Sequence, residues 1–328
     1  MKLLISVHHE FDLWNVPSWF PEKLRADFPQ IEVMHADSRE SAEKHLPDSE
    51  ILFAFSLRRE QFRLARNLRW IHAPTAAVHQ LLFPELVGSD VVLTNAREVH
   101  GPVVAEHVMA LIFALAKKIP QAARLQQKHL WGKSAIWDEG IRPRELAGAT
   151  LGLIGLGSIG RTVARTASAL GMRVIAVREH PEKDKPEGVA AVYAPAEMNK
   201  LLSQSDFVVM AAPLTGETRG LINAERLAAM RSDAYLINVG RGSQVDEVAL
   251  VDTLRSRRIA GAALDVFEPE PLPAESPLWD LENLLITPHT ASLTEKLWQR
   301  HYEVFSGNLR RYLARQPLLF TVDKQKGY

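Results

Sequence analysis

The sequence predicts an α/β protein with two doubly wound parallel sheets, and three observations carry that expectation. Short apolar runs alternate with helix-like stretches in two separate series, one before residue 100 and one after residue 150. The second series opens with Thr150-Leu-Gly-Leu-Ile-Gly-Leu-Gly-Ser-Ile-Gly160, an apolar strand that runs into three glycines and then into a helical pattern. The chain has 328 residues, long for one domain and sufficient for two.

In the first series, candidate strands cover residues 3–7, 31–35, 51–55, 69–72 and 91–94, with helical connections near 19–27 and 38–45. The run at 3–7 reads as a buried strand, because it is too short for a signal-peptide core and polar residues follow at once. A long apolar-faced helix is expected to begin at Gly101-Pro102, where proline suits a first turn, and to run through 103–118 as a bridge between two domains. The second series supplies candidate strands at 151–154, 173–177, 207–211, 234–239, 261–265 and 284–286. Six strands suit a doubly wound sheet. Residues 293–318 look helical and have no strand partner nearby, so they are expected to return to the first domain. The predicted division is therefore discontinuous: residues 1–100 plus 293–328, and residues 101–292, each Rossmann-like.

Composition narrows the function classes. Lys plus Arg equals Asp plus Glu at 39 each, so the overall charge points to no nucleic-acid or anionic-membrane partner. Cysteine is absent, which removes disulfides, thiolate metal sites and a cysteine nucleophile. No apolar run approaches the length of a membrane span, and a cytoplasmic location is the simplest expectation. No HExxH or clustered carboxylate pattern suggests a metal, so none is expected.

The glycine-rich turn reads as a dinucleotide phosphate site. Gly155 permits the tight turn, Gly157 lets the backbone approach a pyrophosphate, and Gly160 allows close packing of the helix. Ser158 and Ile159 open that helix, whose N-terminal N–H groups and dipole favour an anion. An acid about 20 residues past such glycines would bind the adenosine ribose hydroxyls. Here Arg178 stands directly after Arg173-Val-Ile-Ala-Val177, and a cation there accommodates a 2′-phosphate. NADP is favoured over NAD, although the adjacent Glu179 could restore the diol contact.

Three polar residues follow later strands. Arg241 succeeds Leu236-Ile-Asn-Val-Gly240, Glu270 succeeds Leu264-Asp-Val-Phe-Glu-Pro269, and His289 succeeds Leu285-Ile-Thr-Pro288. In an open α/β sheet, ligands bind outside the carboxyl ends of the strands. An arginine can clamp a carboxylate and polarise the neighbouring carbonyl, and a histidine can exchange a proton near neutral pH. A carboxylate bonded to that histidine holds its tautomer. Taken singly, each residue reads as well as a surface charge or an ordinary loop residue; together they form a set suited to 2-oxo acid reduction. His8, His9, His72, His79 and His100 lie near strand ends or loops and are assigned no role.

At these motifs the chain resembles the D-isomer-specific 2-hydroxyacid dehydrogenase family, including the glyoxylate/hydroxypyruvate reductases and phosphoglycerate dehydrogenases, over nearly its whole length. The matching segments are Leu153-Ile-Gly-Leu-Gly-Ser-Ile-Gly160, Ala212-Pro-Leu-Thr-Gly-Glu-Thr218, Ile237-Asn-Val-Gly-Arg-Gly242, Leu264-Asp-Val-Phe-Glu-Pro-Glu-Pro271 and Thr287-Pro-His-Thr-Ala291. The resemblance implies hydride transfer between NAD(P)H and a 2-oxo acid / D-2-hydroxy acid pair. By it Arg241 binds the substrate carboxylate and carbonyl, His289 is the general acid/base and Glu270 its partner, with Glu268 a decoy. It further implies that Asp265 contacts the nicotinamide side of the cofactor, and that Pro213 and Val239 line its pocket. Residues 1–100 plus 293–328 become the substrate domain and 101–292 the nucleotide-binding domain. Backbone N–H groups of the 73–77 loop, at Ala76 and Ala77, would hold the substrate carboxylate. The sequence departs from the family there, with Ala77 where a glycine is usual and His79 where an acid is frequent. Trp131 and Trp137 could be core residues, but in the family this segment embraces a second subunit, implying a homodimer. The alternative function is a nucleotide-responsive scaffold like the C-terminal-binding-protein corepressors. Formate dehydrogenases, which carry glutamine in place of Glu270, fit less well.

Overall fold

The computed structural model describes residues 1–138 and 140–327, leaving out Glu139 and Tyr328. The chain divides into two compact units, Met1–His100 with Thr294–Tyr328, and Gly101–Leu293. Each contains one sheet whose strand pairs are all parallel.

The first unit carries β1 (Lys2–Ser6), β2 (Glu32–His35), β3 (Ile51–Ala54), β4 (Trp70–Ala73) and β5 (Val92–Asn95), in the spatial order β2-β1-β3-β4-β5. That is the doubly wound order in which the winding reverses between β1 and β3. Every residue of β3 and of β4 is buried. Continuous apolar runs of this kind, rather than alternating ones, mark parallel strands covered on both faces. On one face the C-terminal helix Leu297–Leu313 buries Trp298, Tyr302, Phe305 and Leu309 against Phe20, Phe53 and Trp70. The expected return of the chain's end to its beginning is thus a packed aromatic layer. Most of its ring pairs lie tilted or edge-on, with Phe53 and Phe305 4.9 Å apart, as the ring quadrupole favours, while Phe20 and Phe305 are stacked.

The second unit carries β6 (Thr150–Ile154), β7 (Arg173–Val177), β8 (Val189–Tyr193), β9 (Phe207–Met210), β10 (Tyr235–Asn238), β11 (Gly261–Leu264) and β12 (Leu284–Ile286). Their order is β12-β11-β10-β9-β6-β7-β8, so the winding reverses between β6 and β9. Seven strands stand where six were expected. The additional one, β8, is a partly exposed edge strand entered through a register irregularity against β7.

Helix Ser158–Ala169 buries Gly160, Val163, Ala164 and Ala167, the i, i+3, i+4, i+7 face of a helix laid on the sheet. Helix Gly101–Ala116 packs beside it so tightly that a Cβ on Gly101 would lie 2.4 Å from Ser158 Oγ. The expected helix from 101 through 118 is present, two residues shorter at its end, and a second helix follows it. Gly101–Ala116 ends before Lys118, which takes a left-handed backbone (φ 58°), and Ile119–Gln127 follows. The first of these belongs to the core of the second unit, so the expectation of a bridge gives way to a helix that forms part of one unit. Trp131 is 98% exposed and Trp137 53%, so neither is a core residue. Among the described residues no helix is long and apolar enough to cross a membrane.

Candidate active site

The glycine turn sits beyond the carboxyl end of β6, at the point where the winding reverses. Gly155 has φ +100°, and a Cβ there would lie 2.7 Å from the Ala212 backbone; both facts demand glycine. A Cβ on Gly160 would approach the Gly155 carbonyl oxygen to a forbidden distance, so the helix can close onto the turn only without a side chain. Gly157 differs. Its backbone is ordinary extended chain, and a Cβ would meet nothing within 4 Å. The space that it leaves open faces the first turn of helix Ser158–Ala169, whose N–H groups have no carbonyl one turn earlier. A pyrophosphate fits the residues present: two glycines close the turn and the third clears the approach.

Beyond β7, Arg178 has a side chain only 10% exposed, and its Nη2 donates to the Asp184 carbonyl oxygen at 2.6 Å. Glu179, its neighbour, points outward and lies 3.9 Å from His180 Nε2. It is therefore Arg178 that is held inward at the end of this strand.

Past β10 the chain enters a loop held by buried polar side chains. Asn238 Oδ1 accepts from Gly240 N, its Nδ2 donates to the Arg241 carbonyl, and Gln244 Oε1 accepts from Arg241 N at 2.7 Å. Gln244 Nε2 in turn donates to the carbonyls of Ala212 and Pro213, the exposed proline expected at the cofactor. A Cβ on Gly242 would fall 2.0 Å from the Phe267 carbonyl carbon. The absence of a side chain at 242 therefore lets the loop after β10 lie against the loop after β11, which carries Glu270. Burial draws the Arg241 guanidinium below the ordinary arginine value, with the negative charge of Glu270 opposing that shift. Val239 is buried just before it.

Glu270 and His289 meet directly. Glu270 Oε1 accepts from the Phe267 N–H at 2.9 Å, and Oε2 lies 2.6 Å from His289 Nδ1. Glu268 is exposed, and its backbone N–H donates to Glu247 Oε1. His289 has φ +53°, a left-handed conformation that a side-chain-bearing residue adopts only when its surroundings hold it there. Those surroundings include Asp265. The Asp265 carbonyl accepts from His289 N at 2.9 Å, and its carboxylate, 1% exposed, accepts from Thr287 Oγ1, Thr290 N and Ala291 N. The residue expected to face a nicotinamide thus grips the loop that carries the histidine. Ala76 and Ala77 lie in the first unit, in the loop after β4, where Asn95 Nδ2 donates to the Ala76 carbonyl and Thr75 Oγ1 to that of Ala77.

Residues 109–291 match the family model described as D-isomer specific 2-hydroxyacid dehydrogenase, NAD binding domain. The chain belongs to that family. Its members are oxidoreductases that pass hydride between 2-oxo and 2-hydroxy acids with NAD(P). A glyoxylate reductase of Thermofilum pendens is 36% identical to this dehydrogenase over 88% of the chain and 85% of the relative. A D-3-phosphoglycerate dehydrogenase of Methanocaldococcus jannaschii is 31% identical over 89% of the chain, which spans only 55% of that relative. Among solved structures, an NADPH-dependent glyoxylate/hydroxypyruvate reductase from Sinorhizobium meliloti, in complex with NADP and sulfate, superposes with a TM-score of 0.82. It shares 28% identity and covers 100% of this chain and 99% of its own.

Several groups of the dehydrogenase's site escaped the sequence reading. Asn238 and Gln244 are buried polar residues beside Arg241, a placement that only the folded loop reveals. His107, on helix Gly101–Ala116, brings Nε2 within 3.2 Å of Thr287 Oγ1 and 3.6 Å of Asp265 Oδ1. Burial lowers its pKa, and Asp265 opposes that shift. Its sequence signal is faint: one histidine on the otherwise apolar face of a helix.

Proposed function

We propose that this dehydrogenase reduces a short 2-oxo acid, glyoxylate or hydroxypyruvate, to the D-2-hydroxy acid and prefers NADPH. One observation carries the reading: the 2.6 Å bond between Glu270 and His289, with the half-buried Arg241 guanidinium within the electrostatic reach of Glu270, past the carboxyl ends of β10, β11 and β12. When bound, the reduced nicotinamide supplies the hydride that such a reduction needs at C2. The rest falls to protein side chains. Arg241 offers a forked cation to a carboxylate and an adjacent carbonyl oxygen, in a half-buried position where that attraction is strong. Glu270 engages His289 Nδ1, which leaves Nε2 to face the substrate, and an imidazolium so held donates a proton to the developing alkoxide. In the reverse direction the neutral imidazole takes that proton back. Asp265, through the backbone of 287–291, keeps the ring in place.

For the cofactor, Gly155, Gly157, Ser158, Ile159 and Gly160 would hold the pyrophosphate, with Pro213 and Val239 beside it. Arg178 would read the 2′-phosphate. The relative solved with NADP supports this preference, as does the outward course of Glu179. A homodimer is also proposed, because Ile119, Leu130, Trp131 and Trp137 form an exposed apolar series along one segment of the second unit. Sedimentation equilibrium that found only monomers would exclude it. The catalytic reading is tested by following NADPH and NADH oxidation side by side against glyoxylate, hydroxypyruvate, pyruvate and a branched 2-oxo acid. Saturable turnover with NADPH preferred is expected, and NADH preference would remove Arg178 from its role.

A further inference from the structure

Arg178 does not stand alone. Arg161, in the first turns of helix Ser158–Ala169, anchors its Nε on the Leu156 carbonyl inside the glycine turn at 3.2 Å. Its Nη1 lies 3.1 Å from Asp184 Oδ2 and its Nη2 3.5 Å from Oδ1. The same Oδ1 lies 3.8 Å from Arg178 Nη1, and the Asp184 carbonyl oxygen accepts from Arg178 Nη2. Two guanidinium groups from separate elements therefore converge on a single carboxylate, delivered by the loop between β7 and β8. Arg178 also keeps a donor in reserve: its Nε is buried and has no hydrogen-bond partner among the described residues.

From this arrangement we infer that Arg161 is the second arm of the 2′-phosphate site and that Asp184 is a built-in competitor for it, occupying the arginine pair until a phosphomonoester displaces it. The inference rests on the reading of Arg178 as the phosphate contact. A phosphate dianion offers three acceptor oxygens to the two forks, whereas Asp184 offers one carboxylate of half the charge. Displacement is easy, because the Asp184 side chain is 62% exposed and an ion pair open to water is weak. A cofactor without the 2′-phosphate has nothing to exchange for that carboxylate and leaves it in place. Asp184 thus narrows the preference for NADPH over NADH, and Arg161 widens it.

The test is direct binding of NADPH and of NADH to the full chain, by titration calorimetry, for wild type and for Asp184→Asn, Arg161→Gln and Arg178→Gln. Thermal melts of each variant without nucleotide would establish that it is folded. Asp184→Asn should tighten NADPH by about two- to fivefold, the range an exposed ion pair allows, and leave NADH unchanged. Arg161→Gln should weaken NADPH by about tenfold and spare NADH. Weaker NADPH binding in Asp184→Asn would overturn the competitor role, making Asp184 a support for the arginines. Unchanged NADPH binding in Arg161→Gln would remove the second arm. If Arg178→Gln weakens NADPH alone while the other two variants behave as wild type, the NADPH reading stands and this inference falls. If Arg178→Gln fails to distinguish the two nucleotides, the underlying reading falls with it.

Discussion

Arg241 and His289 ask opposite things of their surroundings, and Glu270 serves both. The guanidinium is half-buried and its charge is favoured by a nearby anion; the imidazole needs a partner on Nδ1 so that Nε2 can work. Replacing Glu270 with glutamine keeps the shape and removes the charge. Reduction of the 2-oxo acid should then fall by about 10²- to 10⁴-fold in kcat, the span of general acid–base contributions, while Glu268→Gln, at an exposed residue outside the bond to the histidine, should behave as wild type. Equal losses in the two variants would break the assignment. Arg241→Ala should lower kcat/KM for the 2-oxo acid by at least about a hundredfold and leave the Kd for NADPH within about twofold. Unchanged kcat/KM would place Arg241 outside the site. Both residues were legible in the sequence because unusual types stand directly after apolar strands, in motifs whose chemistry is coherent. The pairing of Asp184 with Arg161 and Arg178 was not legible, since an acid in a loop crowded with charges announces no partner until the loop closes.

At the scale of the element, the turn from β6 into helix Ser158–Ala169 separates what folding needs from what binding needs. Gly160 meets the Gly155 carbonyl oxygen, whereas Gly157 meets nothing. Gly160→Ala should therefore destabilise the protein by about 1–3 kcal/mol, the usual cost of forcing an atom into filled space. Gly157→Ala should stay within about 0.5 kcal/mol of wild type in urea unfolding and yet bind nucleotide more weakly. Weak binding in Gly160→Ala alone, with full affinity in Gly157→Ala, would contradict the phosphate reading of this turn. Sequence patterning located this turn and six of the seven flanking strands closely, because strands buried on both faces read as continuous apolar runs. It missed β8, whose exposed edge and entry through Pro186-Glu-Gly188 resemble a loop. It ended the long helix at Lys118, two residues beyond its observed end at Ala116, and did not foresee the helix Ile119–Gln127 that follows the change of backbone hand there.

Across the whole molecule, the two most strongly depressed histidines both lie in the first unit and make it sensitive to acid. His72 is fully buried on β4, its Nδ1 2.8 Å from Thr94 Oγ1, and burial pushes its pKa down to about 3. His301, buried on the C-terminal helix, is also held well below the ordinary histidine value, first by burial and then by His100 and His72. Above pH 6.5 both histidines are neutral in the folded and unfolded chain and cost nothing. As the pH falls from there toward 3, the unfolded chain takes up protons that the native chain refuses, and stability is lost. For His72 alone the loss reaches about 2 kcal/mol by pH 5. Urea unfolding at pH 7 and pH 5 should show it, and a wild-type midpoint independent of pH would contradict the buried neutral state. Fold class, the discontinuous order of the units and the meeting of Glu270 with His289 were thus accessible from residue types and spacing, whereas burial of His72 and exposure of Trp131 depend on packing that no local pattern encodes. Reduction of a 2-oxo acid through His289 is tested most directly by NADPH oxidation with glyoxylate or hydroxypyruvate, measured for wild type beside His289→Gln together with the NADPH Kd of each. Saturable turnover in the wild type that falls by at least about a hundredfold in the variant, at unchanged NADPH affinity, is the predicted result. Wild-type protein that binds NADPH and turns over neither acid, or a variant as active as the wild type, would contradict it.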